Sequence, residues 1–416
     1  MKKVLFLLMV LTLSVYGGDA DNWPAWRGST FNGVSTGTGF PTKWSQTENV
    51  AWKVSLPQGS GSTPIVWGSN IFITSVKEGK NLLICFDRRG NILWEKTVGQ
   101  ARKGKHRQKG GGAHPSPTVD GKRVYVYYRS GDLACLDFTG KFLWQENLQK
   151  KYGKDSLWWD LATSPVLTKN LLVVACLQDK PSYLVGLDKL TGKEVWKQDR
   201  NMHAPEESNH SYTTPVVLTE KGTEKIYVLG ADYVTAHEAG SGKELWRVGG
   251  LNPKGRNRFR SIASPVVSDG ILVAPYSRGA TLTGIRLGGS GDVTDTHVAW
   301  LNKGLSSDVP TPAAVNGKVY LCTDKGTMAC LDIKTGKEIW SGKLAARNVR
   351  VSSSPVVVDG KIYVVSEAGT TYVLEQGDKL KVLAANQLGE FTLATPVFTR
   401  NHILIRTYKH LYCIGK

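Results

Sequence analysis

The sequence predicts an all-β fold, an eight-bladed β-propeller of four-stranded antiparallel blades, and three observations predict it. A Ser/Thr-Pro pair recurs eight times, at Thr63-Pro64, Ser116-Pro117, Ser164-Pro165, Thr214-Pro215, Ser264-Pro265, Thr311-Pro312, Ser354-Pro355 and Thr395-Pro396, with successive prolines 41 to 53 residues apart. Each pair opens a run of short apolar segments separated by turn signals. Five runs end on one motif in which Gly precedes Trp by four positions, as in Asp188-Lys189-Leu190-Thr191-Gly192-Lys193-Glu194-Val195-Trp196. A period of about 40–50 residues with several strands per unit marks radial repetition, and it overrules the two or three domains that 416 residues would otherwise suggest.

In chain order, the first element is a secretory signal over residues 1–20. Lys2 and Lys3 precede an apolar run from Val4 to Val15, and small residues follow at Gly17, Gly18 and Ala20, with cleavage expected between Gly17 and Ala20. The run is too short to span a bilayer and no other stretch approaches that length. No cysteine lies near the cleavage region. The expected mature chain is therefore exported, periplasmic or extracellular, soluble and not a lipoprotein. Residues 21–48, with Trp23, Trp26 and Trp44, read as a non-blade strap across one face, and residues 49–416 as the propeller.

Within a unit the strands follow directly. The Ser/Thr-Pro pair marks the innermost strand, which faces the channel and tolerates the loss of one N–H. Turn pairs such as Asp120-Gly121, Asp269-Gly270, Asn316-Gly317 and Asp359-Gly360 accept the positive φ of a tight hairpin and lead to an alternating second strand, as in Lys361-Ile362-Tyr363-Val364-Val365. A third strand ends at the Asp of the motif, whose side chain caps a turn closed by Gly. Trp then lies on the outermost strand and packs against the next blade, which makes these tryptophans structural. The last unit, from Thr395 to Lys416, holds three strands; Asn49–Leu56, with Trp52, is expected to supply the fourth and close the ring. The outer strand of the seventh unit, near Lys381-Val382-Leu383, lacks a Trp and predicts a weaker contact there.

Six cysteines in an exported chain invite disulfides, but the repeat argues for free, buried thiols. Cys85, Cys135, Cys330 and Cys413 occupy one slot of the repeat, Cys176 and Cys322 another, too far apart for bridging.

The formal charge of +18 favours anionic partners, or equally a solvated surface. Topology sharpens it, because connections from each outer strand to the next inner strand gather at one mouth of the channel. Those loops carry Arg102, Lys103, Lys105, Arg107 and Lys109; Lys150, Lys151 and Lys154 with Trp158, Trp159 and Asp160; His203, Glu206, Glu207 and His210; Lys254, Arg256, Arg258 and Arg260; and Arg347 and Arg350. The candidate ligand-binding residues are Lys105, Arg107, His114, Trp158, Trp159, His203, His210, Arg258 and Arg260. His114, His203 and His210 lack the compact spacing of a metal site and read as polar loop residues. The run Gly110-Gly111-Gly112 is a hinge, since no helix follows it to cradle a phosphate.

The Leu-Asp-x-x-Thr-Gly-Lys-x-x-Trp units, the opening Trp23-Pro24-Ala25-Trp26-Arg27-Gly28 and the ending Lys409–Lys416 resemble the PQQ-binding-like, quinoprotein-type propeller repeat family. They are most similar to its secreted bacterial subgroup, itself likened to the propeller component of the outer-membrane β-barrel assembly machinery. The resemblance implies the fold over the whole mature chain, but propellers host many activities. The basic mouth, and not the resemblance, leads to the functional expectation: a non-enzymatic scaffold that binds an envelope protein or an anionic polysaccharide there, with no cofactor and no catalytic residue; nucleic acid is the least expected partner. The alternative is a dehydrogenase using PQQ with calcium, or a polysaccharide-active enzyme. Dehydrogenases of this family hold the quinone between a Trp and a disulfide of adjacent cysteines, and this chain has no adjacent cysteine pair. Polysaccharide cleavage needs paired carboxylates in the channel, and no such pair stands out in the sequence.

Overall fold

In the computed structural model, which describes residues 21–106, 108–347 and 349–416, eight antiparallel sheets stand around a channel. Blade three is representative: Val166–Leu167 lies innermost, followed outward by Leu171–Cys176, Tyr183–Asp188 and Glu194–Asp199. The predicted signal segment 1–20 and Arg107 lie outside the described residues. Blade eight closes as expected. Val50–Ser55 pairs antiparallel with His410–Ile414, outside His402–Arg406 and Val397–Thr399, so the two ends of the chain share one sheet. The eight-bladed, four-stranded prediction holds, with two additions: Val34–Ser35 pairs parallel with Val356–Val358 of blade seven, and Gly291–Asp292 borders the outer strand of blade four.

The recurrent Ser/Thr does more than precede a proline. The backbone N–H of Thr63 donates to Ser116 Oγ (2.9 Å), Ser116 N–H to Ser164 Oγ (2.9 Å), Ser164 N–H to Thr214 Oγ1 (3.0 Å), and so on through Ser264, Thr311, Ser354 and Thr395. Seven of the eight joints between neighbouring innermost strands thus carry a buried hydrogen bond, a belt around the waist of the channel that is open between Thr395 and Thr63, whose hydroxyl meets no partner among the described residues.

The outer-strand tryptophans form a second belt. Trp52, Trp94, Trp144, Trp196, Trp300 and Trp340 each donate the indole N–H to a backbone carbonyl in the following blade, that of Arg88, Phe138, Lys189, Ala239, Ile333 and Gly377 respectively. The motif glycine explains why the pattern couples Gly to Trp across blades. At Gly242, with φ of +71°, an added Cβ would lie 2.4 Å from the ring of Trp196 in the preceding blade. Trp246 is the exception: it is buried beside the extra strand Gly291–Asp292, and its indole N–H finds no acceptor.

The cysteine slot follows from the same packing. Cys85, Cys135, Cys330 and Cys413 sit directly across from Trp94, Trp144, Trp340 and Trp52, where other blades place Gly186, Ala236 and Gly284. A small side chain is required beneath the indole. All six thiols are free and buried, and burial pushes Cys85, Cys135 and Cys413 up to about 12, so they stay protonated.

Residues 21–35 cross the channel on the face of the tight turns. Trp23 bridges Val66 of blade one, Pro24 O accepts from Val119 N–H of blade two, and Gly33 O accepts from Val357 N–H of blade seven. The Arg27 guanidinium donates to Pro312 O (2.9 Å) and Pro355 O (3.0 Å). Innermost-strand groups expected to face open water thus find partners here. At blade seven, where Ala384 takes the Trp position opposite Val373, Phe40 and Trp44 fill the space, packed with Tyr363, Val373 and Phe398. The missing Trp is therefore replaced from another part of the chain.

Candidate channel-mouth site

In each blade the first-to-second and third-to-fourth strand turns lie on one face, so the long interblade loops lie on the other. Their centre holds a cavity of about 420 Å³. The opposite end is covered by the crossing segment, from which Trp26 lines the cavity. The belt hydroxyls of Ser116, Ser164, Thr214, Ser354 and Thr395 form its waist, and His114, Trp159, Asp160, Tyr212 and Arg260 form its upper wall.

The predicted site residues separate into three groups. His114, Trp159 and Arg260 line the cavity. His114 Nδ1 accepts the Gly61 N–H (2.9 Å), which leaves the ring proton on Nε2, and burial pulls its pKa down to about 4, so it is neutral. The Trp159 ring is 44% exposed but fixed, because its indole N–H donates to Glu207 Oε1 (2.9 Å). Arg260 is buried and forks onto Asp308 (3.1 and 2.9 Å), with Glu207 at 3.5 Å.

A second group is consumed by structure. Lys105 donates its ammonium to Leu157 O, and its backbone N–H to Asp160 (3.0 Å). His210 is fully buried: Nδ1 accepts from Trp158 N–H (3.4 Å) and Nε2 donates to Asp179 (3.0 Å). The third group is exposed: Arg258, His203 and Trp158, the last 47% exposed with its edge against the His210 ring. The three histidines do not converge, and among the described residues no group of three His, Cys, Asp or Glu side chains is placed to hold a metal ion.

Asp160 and Glu207 are legible in the mouth loops, but sequence reasoning missed that carboxylates discharge the mouth, and it missed Asp155, Asp308 and Glu367. Asp160 pairs with buried Arg129 (2.6 Å), and Glu367 of blade seven takes Lys109 from across the opening (2.5 Å) and Ser352 Oγ (2.6 Å). Arg102 is held by Asp155. The loop of residues 101–112, read as an all-cationic segment, is thus folded over the mouth by acids contributed by other blades. Those acids lie far away in sequence, and no local pattern pairs them.

The family model described as outer membrane protein assembly factor BamB matches residues 42–126, 79–283 and 230–405. The outer membrane protein assembly factor BamB of Kangiella koreensis is 28% identical over 144 residues, 33% of this chain and 32% of that protein, so the match spans about a third of the relative's length. Among solved structures, BamB from Moraxella catarrhalis superposes with a TM-score of 0.64 at 17% identity, covering 88% of this chain and 99% of that one. A quinohemoprotein alcohol dehydrogenase from Comamonas testosteroni superposes with a TM-score of 0.70 at 12% identity, covering 97% and 82%. Likeness at these identities is likeness of fold. The residues present do not fit a carboxylate-bearing quinone: Lys109 and Arg260, the cations that line the cavity, already hold carboxylates.

Proposed function

The chain belongs to the outer membrane protein assembly factor BamB family, and on that premise we propose that it serves in the cell envelope as a non-enzymatic scaffold docking an acidic segment of a protein partner on its loop face. One observation carries the reading. After the internal ion pairs are assigned, Lys103, Lys150, Lys154, Lys254, Arg256, Arg258, Arg347 and Arg350 remain exposed with no carboxylate partner among the described residues. They ring the opening together with exposed Trp158, a combination of steering charge and aromatic anchor suited to an acidic, partly apolar segment. That relatives are named as outer membrane protein assembly factors supports an envelope protein as the partner; an anionic polysaccharide is the other ligand the rim suits.

The test is charge reversal on one face at a time. Arg256→Glu with Arg258→Glu is expected to lower markedly the salt concentration that elutes the protein from a heparin column. Lys193→Glu with Lys337→Glu, in motif turns of the opposite face, is expected to change it little. Equal losses from the two pairs would place the binding in net charge and overturn the rim.

A further inference from the structure

We propose that the channel cavity below the rim is a binding site for an uncharged saccharide. It goes beyond the docking face, because the cavity's chemistry is the reverse of the rim's. On its described lining stand two cations, Lys109 and Arg260, each already paired with a carboxylate, and Asp160, paired with buried Arg129; buried Arg406, beside His114, donates to Ser62 O and has no carboxylate partner among the described residues. With His114 neutral, an anion entering the cavity meets no free cation among the described lining residues.

What the cavity offers is a set of donors and a fixed aromatic face. The five belt hydroxyls on its waist each accept a backbone N–H, and their own O–H protons meet no acceptor among the described residues. Tyr212 is in the same position, since its hydroxyl accepts from Trp159 N–H (3.0 Å). A ring of neutral donors calls for an oxygen-rich ligand without charge. The Trp159 ring, held by Glu207 and half exposed, is a platform for the C–H face of a sugar ring, while the Asp160 carboxylate beside it accepts hydroxyl protons. At 420 Å³ the space falls within the range of about 300–1,000 Å³ usual for small-ligand sites.

The test is titration of the full chain with cellobiose, with N,N′-diacetylchitobiose and with digalacturonic acid, followed by Trp fluorescence and by saturation-transfer NMR. At least one neutral disaccharide is expected to bind with Kd of about 1 mM or tighter, and the anionic one more weakly. Trp159→Ala is expected to weaken binding at least about tenfold, and Trp158→Ala by no more than about twofold, with melting curves showing both variants folded. Arg256→Glu with Arg258→Glu is expected to leave saccharide binding unchanged, so this site and the docking rim fail separately. The proposal is overturned if neither neutral disaccharide binds at about 10 mM, if the anionic one binds more tightly, or if binding ignores Trp159.

Discussion

Arg258 and Arg260 stand two residues apart in one loop, yet Arg258 lies in solvent while Arg260 is closed between Asp308 and Glu207. Removing a buried partner leaves carboxylates desolvated and unpaired, so Arg260→Ala is expected to cost about 3–5 kcal/mol of folding stability. Arg258→Ala is expected to stay within about 0.5 kcal/mol, both read by urea denaturation. His114 gives a second prediction at this scale. Its folded pKa, about 4, lies below the unfolded value near 6.5, so between those values the unfolded chain binds the extra proton. Stability is therefore expected to fall as pH drops from about 6.5 to about 4. His114→Gln, whose amide oxygen can still accept the Gly61 N–H, is expected to flatten that part of the curve of melting temperature against pH.

At the scale of strands and turns, the unit of stability is the joint between blades. Trp196 is buried, bonds Ala239 O (3.0 Å) and covers Gly242 of the next blade. Trp196→Ala is expected to cost about 3–5 kcal/mol, and Gly242→Ala about 1–3 kcal/mol because the methyl group would strike the indole. If Trp44 fills the place of the missing blade-seven Trp, Trp44→Ala is expected to cost within about 1 kcal/mol of Trp196→Ala, by denaturation midpoint at unchanged slope. This is also the scale at which the sequence was most readable. Strand order, ring closure, the thiols and the outer tryptophans all followed from a repeat that places like residues in like positions. The role of Ser and Thr before proline was visible as recurrence but not as chemistry, because seven of the eight hydroxyls serve the neighbouring blade. Phe40 and Trp44 were beyond reach for a related reason: they complete a repeat from outside it, about 340 residues away from the strand they support.

For the whole molecule, the same distinction separates the face from the cavity. Charge read along the loops assigned a basic face by topology, but it could not tell spent cations from free ones, since Glu367 and Lys109 meet across 258 residues. The ring also depends on its ends. A chain beginning at residue 57 lacks the outer strand of blade eight and exposes the edge of His410–Ile414, and it is expected to associate in solution and to lose its sharp melting transition. The exposed rim of the loop face is proposed to meet a partner in the envelope. A photo-cross-linking residue placed at Arg258, with a second version at Lys193 on the opposite face, tests it most directly in intact cells. Irradiation is expected to join position 258 to one defined protein and position 193 to none. Silence at position 258, or the same adducts from both positions, would contradict the claim.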